Sequence, residues 1–168
     1  MKSKNVIVFL VIIFGLFGLM WWGKTASTGA TPVDGVGASG TSVLSAAETL
    51  YDFGTISMKD GNVSTTFLVS NTSAGDINLK TVTTSCMCTT AFLIGPTGEK
   101  GPFGMPGHGG AVRPANELVK AGETREIKVV YDPNAHGPAG VGPVDRFIYL
   151  KSADGGTLEL EIKALVTP

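Results

Sequence analysis

From Leu50 onward the chain repeatedly alternates apolar and polar residues with a period of two, the pattern of a half-buried β-strand. Leu50 to Ile56 mixes aromatic and β-branched residues around Gly54, as a bent or bulged edge strand does. Thr66 to Ser70 puts Phe67 and Val69 on one face, and Ile77 to Val82 alternates in the same way. Arg125 to Tyr131 gathers Ile127, Val129 and Tyr131 on one face. Arg146 to Lys151 and Thr157 to Val166 read as a hairpin, with Leu158, Leu160, Ile162, Ala164 and Val166 aligned along the last strand. Asp60-Gly61-Asn62, Asn71 to Asp76, Ala121-Gly122-Glu123 and Ser152 to Gly156 supply turn chemistry between the runs. About seven short strands separated by such turns predict an all-β, immunoglobulin-like β-sandwich over residues 48–168.

Two stretches break the pattern. After Phe92 the chain is rich in Gly and Pro, with glycine at every third position from Gly95 to Gly110, the period of collagen. The stretch is short and flanked by strands, so residues 93–118 are expected to be an extended surface loop. Residues 25–47 carry Gly, Ser, Thr and Ala with few large apolar residues, and predict a flexible linker.

Before that linker lies an uncharged run from Asn5 to Gly23, preceded by Lys2 and Lys4 and closed by Lys24. Its apolar part, Val6 to Trp22, is at the lower limit of a helix that spans a bilayer. Met20-Trp21-Trp22 suits a membrane interface better than a cleavage site, so residues 1–24 are expected to be an uncleaved transmembrane anchor rather than a cleaved signal peptide. The lysines then leave the amino terminus in the cytoplasm and the domain outside it, periplasmic or at the cell surface, or secreted if the segment is removed.

Charge changes little: a formal net charge of -1 gives no electrostatic footprint for nucleic acid. The cysteines change more. Cys86 and Cys88 are the only two, one residue apart at the end of a predicted strand. Residues i and i+2 of a strand share a face, so their sulfurs converge, and a bulge or turn would bring them within disulfide reach. An oxidising compartment favours a Cys86–Cys88 disulfide. Two buried thiols, or a thiolate clamp for a soft ion such as Cu(I), are the alternatives. For the metal, Met105, His108 and Met87 are the candidate further ligands, because a loop after the cysteines can fold back on them. A closed zinc site asks for four ligands, which two cysteines and two histidines do not supply in paired motifs. His136, in an Asn-Ala-His-Gly turn, reads as a surface polar residue. No nucleophile elbow, phosphate loop or zinc-protease helix is present, and no catalytic residue is expected.

Tyr51-Asp52-Phe53-Gly54-Thr55, the Phe67, Val69, Asn71, Thr72 strand, Ser85-Cys86-Met87-Cys88-Thr89, Ala121-Gly122-Glu123 and Val129-Val130-Tyr131-Asp132 together resemble a bacterial domain-of-unknown-function family, number 1573. That family usually has Gly where this chain has Met87, and the Gly/Pro stretch is an insertion relative to it. The resemblance implies an immunoglobulin-like fold similar to the ASH and Hydin domains, and an extracytoplasmic setting. It implies no established activity. The expected function is a membrane-tethered binding or scaffolding domain with a cell-envelope protein partner and no resident cofactor. The alternative is a Cu(I)-binding or thiol-redox protein using Cys86 and Cys88.

Overall fold

The computed structural model describes residues 44–108 and 112–168. The anchor expected over residues 1–24, and most of the linker, lie outside them. The described residues form ten strands and no α-helix: β1 (Leu44–Ala46), β2 (Leu50–Ser57), β3 (Val63–Asn71), β4 (Ile77–Thr84), β5 (Thr89–Gly95), β6 (Gly98–Phe103), β7 (Pro114–Val119), β8 (Thr124–Tyr131), β9 (Gly142–Ser152) and β10 (Thr157–Thr167). They make two five-stranded sheets, β1-β3-β8-β5-β6 and β2-β10-β9-β4-β7, packed as an immunoglobulin-like sandwich.

The inward positions of the alternating runs form the core. Phe67 and Val69 of β3, Ile127, Val129 and Tyr131 of β8, and Ala91 and Leu93 of β5 face Ile148 and Leu150 of β9 and Leu160 and Ile162 of β10. Burying each large aliphatic side chain contributes about 1.5–3 kcal/mol, so the alternation sets which face turns inward. The bent edge strand expected at Leu50 is β2, which runs parallel to β10. Gly54 takes φ 66°, its N–H held by Asp52 Oδ1 at 2.8 Å, opposite a register shift at Lys163 to Leu165.

Four strands, β1, β5, β6 and β7, depart from the sequence expectation. The folded unit starts before residue 48: Leu44 is buried and β1 pairs with β3, Leu44 opposite Asn71. One buried leucine in a stretch of small residues suffices to seat an edge strand, and composition averages it away. Residues 93–118 are not one extended loop. β5 and β6 form a hairpin across the turn Gly95-Pro96-Thr97-Gly98, where Gly98 has φ 108°. Pro102 is tolerated because β6 is an edge strand and needs partners on one side only. β7 then pairs with β4, burying Ala115, Glu117 and Val119 in alternation. A charged residue at the middle inward position hid that strand.

Glu117 is the reason for an ion network between the sheets. Its carboxylate lies 2.8 Å from Arg125 Nε and 2.7 Å from Lys100 Nζ, and Arg125 also reaches Glu123 at 2.8 Å. The Glu117 and Arg125 side chains are only 7% and 6% exposed. Gly95 leaves room for them: a Cβ there would lie 2.8 Å from Glu117 Oε1 and 3.3 Å from Arg125 Nε. Gly95→Ala is therefore expected to lower stability by about 1–3 kcal/mol, read from the urea unfolding midpoint.

Candidate functional site at the Cys86–Cys88 turn

β4 belongs to one sheet and β5 to the other, so residues 85–88 carry the chain across the sandwich. The crossing is a tight turn rather than a continued strand, closed by the Thr89 N–H on the Cys86 carbonyl at 3.1 Å. Buried Thr84 braces it from inside, its hydroxyl lying 3.0 Å from both the Cys86 and Thr89 carbonyls. Ser85 anchors the turn to β9, donating its N–H to the Phe147 carbonyl and accepting the Phe147 N–H on Oγ, each at 2.9 Å. On the other side the Asp132 N–H holds the Cys88 carbonyl at 2.9 Å. The turn is thus fixed to both sheets.

Within it Cys86 and Cys88 are joined as a disulfide, their Cα atoms 5.2 Å apart. The two sulfurs differ in access. Cys86 is half-buried, Cys88 is 2% exposed, and Met87 stands at the apex, 53% exposed. They also differ in their neighbours. His136, on the segment that follows β8, places Nε2 3.1 Å from Cys86 Sγ. Arg146, on β9, donates from Nε to Cys88 Sγ at 3.1 Å. The Cys88 N–H donates to Cys86 Sγ at 3.2 Å. Because the turn crosses between sheets, each sulfur receives a side chain from a different sheet's periphery.

Local hydrogen bonds set those side chains. Asp132 Oδ1 accepts the Asn134 N–H at 2.8 Å, and Asn134 Nδ2 reaches the Met58 carbonyl at 2.8 Å, so the segment carrying exposed His136 is held down over the turn. Arg146 is steadied by its Nη1 bond to the Asp145 carbonyl at 2.7 Å. Tyr131 lies beside it at the end of β8. Burial pushes its hydroxyl above the usual phenol range, more than the Arg146 charge pulls it down, so it stays a neutral phenol.

Three potential ligand atoms meet here, from Cys86, Cys88 and His136, all within 4.8 Å of one another. His108 is outside that group; it lies in the turn after β6, its N–H directed at the Met105 carbonyl at 3.4 Å. Sequence reasoning set His136 aside as a polar turn residue and did not single out Arg146. They lie 50 and 58 residues from the sulfurs they touch, and no short motif spans such distances. The sole local hint was the Asp132-Pro133-Asn134 break that ends β8 beside the cysteines.

Comparison with known proteins bears on the fold. The profile of the family described as protein of unknown function, DUF1573, matches residues 44–101. The match runs from β1 into β6 and includes the whole Cys86–Cys88 turn, whereas β7 to β10, with Arg146 and the His136 segment, lie beyond it. Over the matched range the resemblance carried by Ser85-Cys86-Met87-Cys88-Thr89 to DUF1573 holds. Among solved structures the chain is similar to a protein of unknown function from Porphyromonas gingivalis W83, at 19% identity and a TM-score of 0.52, covering 77% of this chain and 49% of that one. The chain therefore spans about half the length of that protein. It is also similar to an ASH/PapD-like domain of human CEP192, at 11% identity and a TM-score of 0.46, covering 83% of this chain and 98% of that one. The YadV chaperone gives 11% identity and a TM-score of 0.44, covering 75% of this chain and 52% of that one. No curated protein matches the sequence.

Proposed function

We propose that the protein is a membrane-tethered, extracytoplasmic immunoglobulin-like module whose Cys86–Cys88 pair exchanges disulfides with a cell-envelope protein partner. The carrying observation is the pair of side chains on the two sulfurs, His136 Nε2 at Cys86 and Arg146 Nε at Cys88. A structural staple accounts poorly for this disulfide. By chain entropy a bond closing a three-residue loop stabilises by about 1.6 kcal/mol, against about 4.7 kcal/mol for a hundred-residue loop. The surroundings suit reactivity instead, since a guanidinium and an N–H donor at the sulfurs favour thiolates.

In the dithiol form His136 takes the Cys86 proton, and the thiolate attacks one sulfur of a partner disulfide. The Cys86–partner bond forms, the partner bond breaks, and the first partner thiolate leaves with the proton from His136. Cys88 then attacks Cys86 Sγ, restoring the Cys86–Cys88 bond. The second partner thiolate leaves with the Cys88 proton. Two electrons have passed from the module to the partner, and the reverse sequence oxidises a partner dithiol. Cys86 is the entry sulfur because Cys88 is covered. Partner binding is supported by Leu50, Tyr51 and Leu68, exposed large apolar residues, with Tyr51 and Leu68 lining one groove on the sandwich.

The test uses the full chain in mild detergent, incubated with oxidised glutathione and analysed by intact mass. Cys88→Ser is expected to accumulate a mixed disulfide on Cys86, and Cys86→Ser to accumulate none. In graded glutathione buffers the wild type passes between zero and two free thiols. A pair that stays oxidised across those buffers, or a Cys88→Ser variant that captures nothing, overturns the reading.

A further inference from the structure

We infer that the reduced pair, with His136, forms a three-coordinate site for a soft monovalent cation, Cu(I). The inference rests on the exchange reading, because the disulfide must first be reduced by a partner dithiol, which is itself oxidised as Cys86 and Cys88 gain two electrons and two protons. Metal binding then displaces the thiol protons.

Geometry supplies the first argument. Metal–sulfur and metal–nitrogen bonds of about 2.0–2.3 Å put the ligands of a trigonal ion about 3.5–4 Å apart. The three ligand atoms already lie within 4.8 Å of one another, and His136 Nε2 is 3.1 Å from Cys86 Sγ. On reduction the sulfurs separate by rotation about their own side-chain bonds, with the Cα atoms 5.2 Å apart. The turn that carries them is pinned to both sheets at Ser85 and Cys88, so the site needs no rearrangement of the strands.

Ligand type and charge choose the ion. Two soft thiolates and one borderline imidazole favour Cu(I) over hard cations. Zinc asks for four ligands in a closed site, and no fourth Cys, His, Asp or Glu joins this group among the described residues. Two thiolates around a monovalent ion leave one negative charge, which the Arg146 guanidinium, 3.1 Å from Cys88 Sγ, offsets. Around a divalent ion the thiolates are already neutralised, and Arg146 then adds an uncompensated positive charge next to the metal. The same arginine that favours the thiolates thereby discriminates against Zn(II).

The experiment takes the full chain in mild detergent, reduced with a phosphine under anaerobic conditions, and counts two free thiols before any metal is added. Cu(I) is then titrated against the chelator bicinchoninate. Expected are one ion per chain and an X-ray absorption shell of two sulfurs and one nitrogen. Binding should vanish in Cys86→Ser/Cys88→Ser, weaken about tenfold or more in His136→Ala and remain unchanged in His108→Ala. Circular dichroism checks that each variant is folded. Two free thiols with all the copper retained by the chelator overturn the metal inference and leave the exchange reading standing. So does wild-type affinity in His136→Ala, or preferential retention of Zn(II). Failure to reach two thiols under the phosphine overturns both.

Discussion

Glu117→Ala is expected to lower the unfolding free energy by about 3 kcal/mol, the range for removing one partner of a buried ion pair. The cost arises less from the lost attraction than from what remains. Arg125 keeps its bonds to the Thr124 carbonyl, the Leu118 carbonyl and Glu123, but its Nε loses Glu117 Oε1 and stays buried beneath the turn of the β5–β6 hairpin. Lys100 loses its carboxylate partner too, yet it keeps the Ala115 and Asn116 carbonyls, is more exposed and can turn to water. Removing both charges tests the argument: Glu117→Leu with Arg125→Met should recover most of the loss, since apolar replacement of a whole buried pair is near neutral or better. Urea unfolding of the single and double variants provides the measurement. A double variant as unstable as Glu117→Ala would show that packing, not an unpaired charge, is at stake.

The same group gives the acid response a definite sign. Burial pushes the Glu117 carboxyl up, but hydrogen bonds and charges from Lys100 and Arg125 together outweigh it and hold it below the ordinary 4.5. A carboxyl depressed in the folded state contributes stability that is complete above its unfolded value and is lost as pH falls through the folded one. Wild-type stability should therefore fall below about pH 4.5, and Glu117→Gln should show a shallower slope over that window. Equal slopes in the two proteins would remove Glu117 from the account.

His136→Ala is expected to slow disulfide exchange by about 100-fold at neutral pH, the lower end of what a positioned acid–base group contributes. Its side chain is exposed, so the folding free energy should change by less than about 0.5 kcal/mol, separating a chemical effect from a structural one. His136→Gln retains a polar contact to Cys86 but cannot carry a proton, and should be nearly as slow. Stopped-flow exchange with oxidised glutathione, starting from the dithiol, measures both. An unchanged rate would strip the proposed function of its carrying observation, since Arg146 touches the covered sulfur and not the entry one.

What the sequence by itself determined is what repeats locally. The period-two runs in β3, β4, β8, β9 and β10 announced themselves because most inward residues are apolar, with Asn71, Thr84, Arg125 and Ser152 as buried exceptions near the strand ends, and the turns carry Gly, Asn, Asp or Pro. The Gly54 bend in β2 and the convergence of Cys86 and Cys88 were likewise readable, since both follow from backbone geometry over a few residues. Strands β1, β5, β6 and β7 were not. Their pairing is decided by the neighbouring strand, and Leu44, Pro102 and Glu117 each violate the local pattern at a place where a partner compensates. The sheet crossing at Ser85 to Cys88 was also a tertiary outcome. It brings a histidine from beyond β8 to one sulfur and an arginine from β9 to the other. A cysteine pair is visible in a string of letters; the side chains that tell its two sulfurs apart arrive only when the two sheets close on each other.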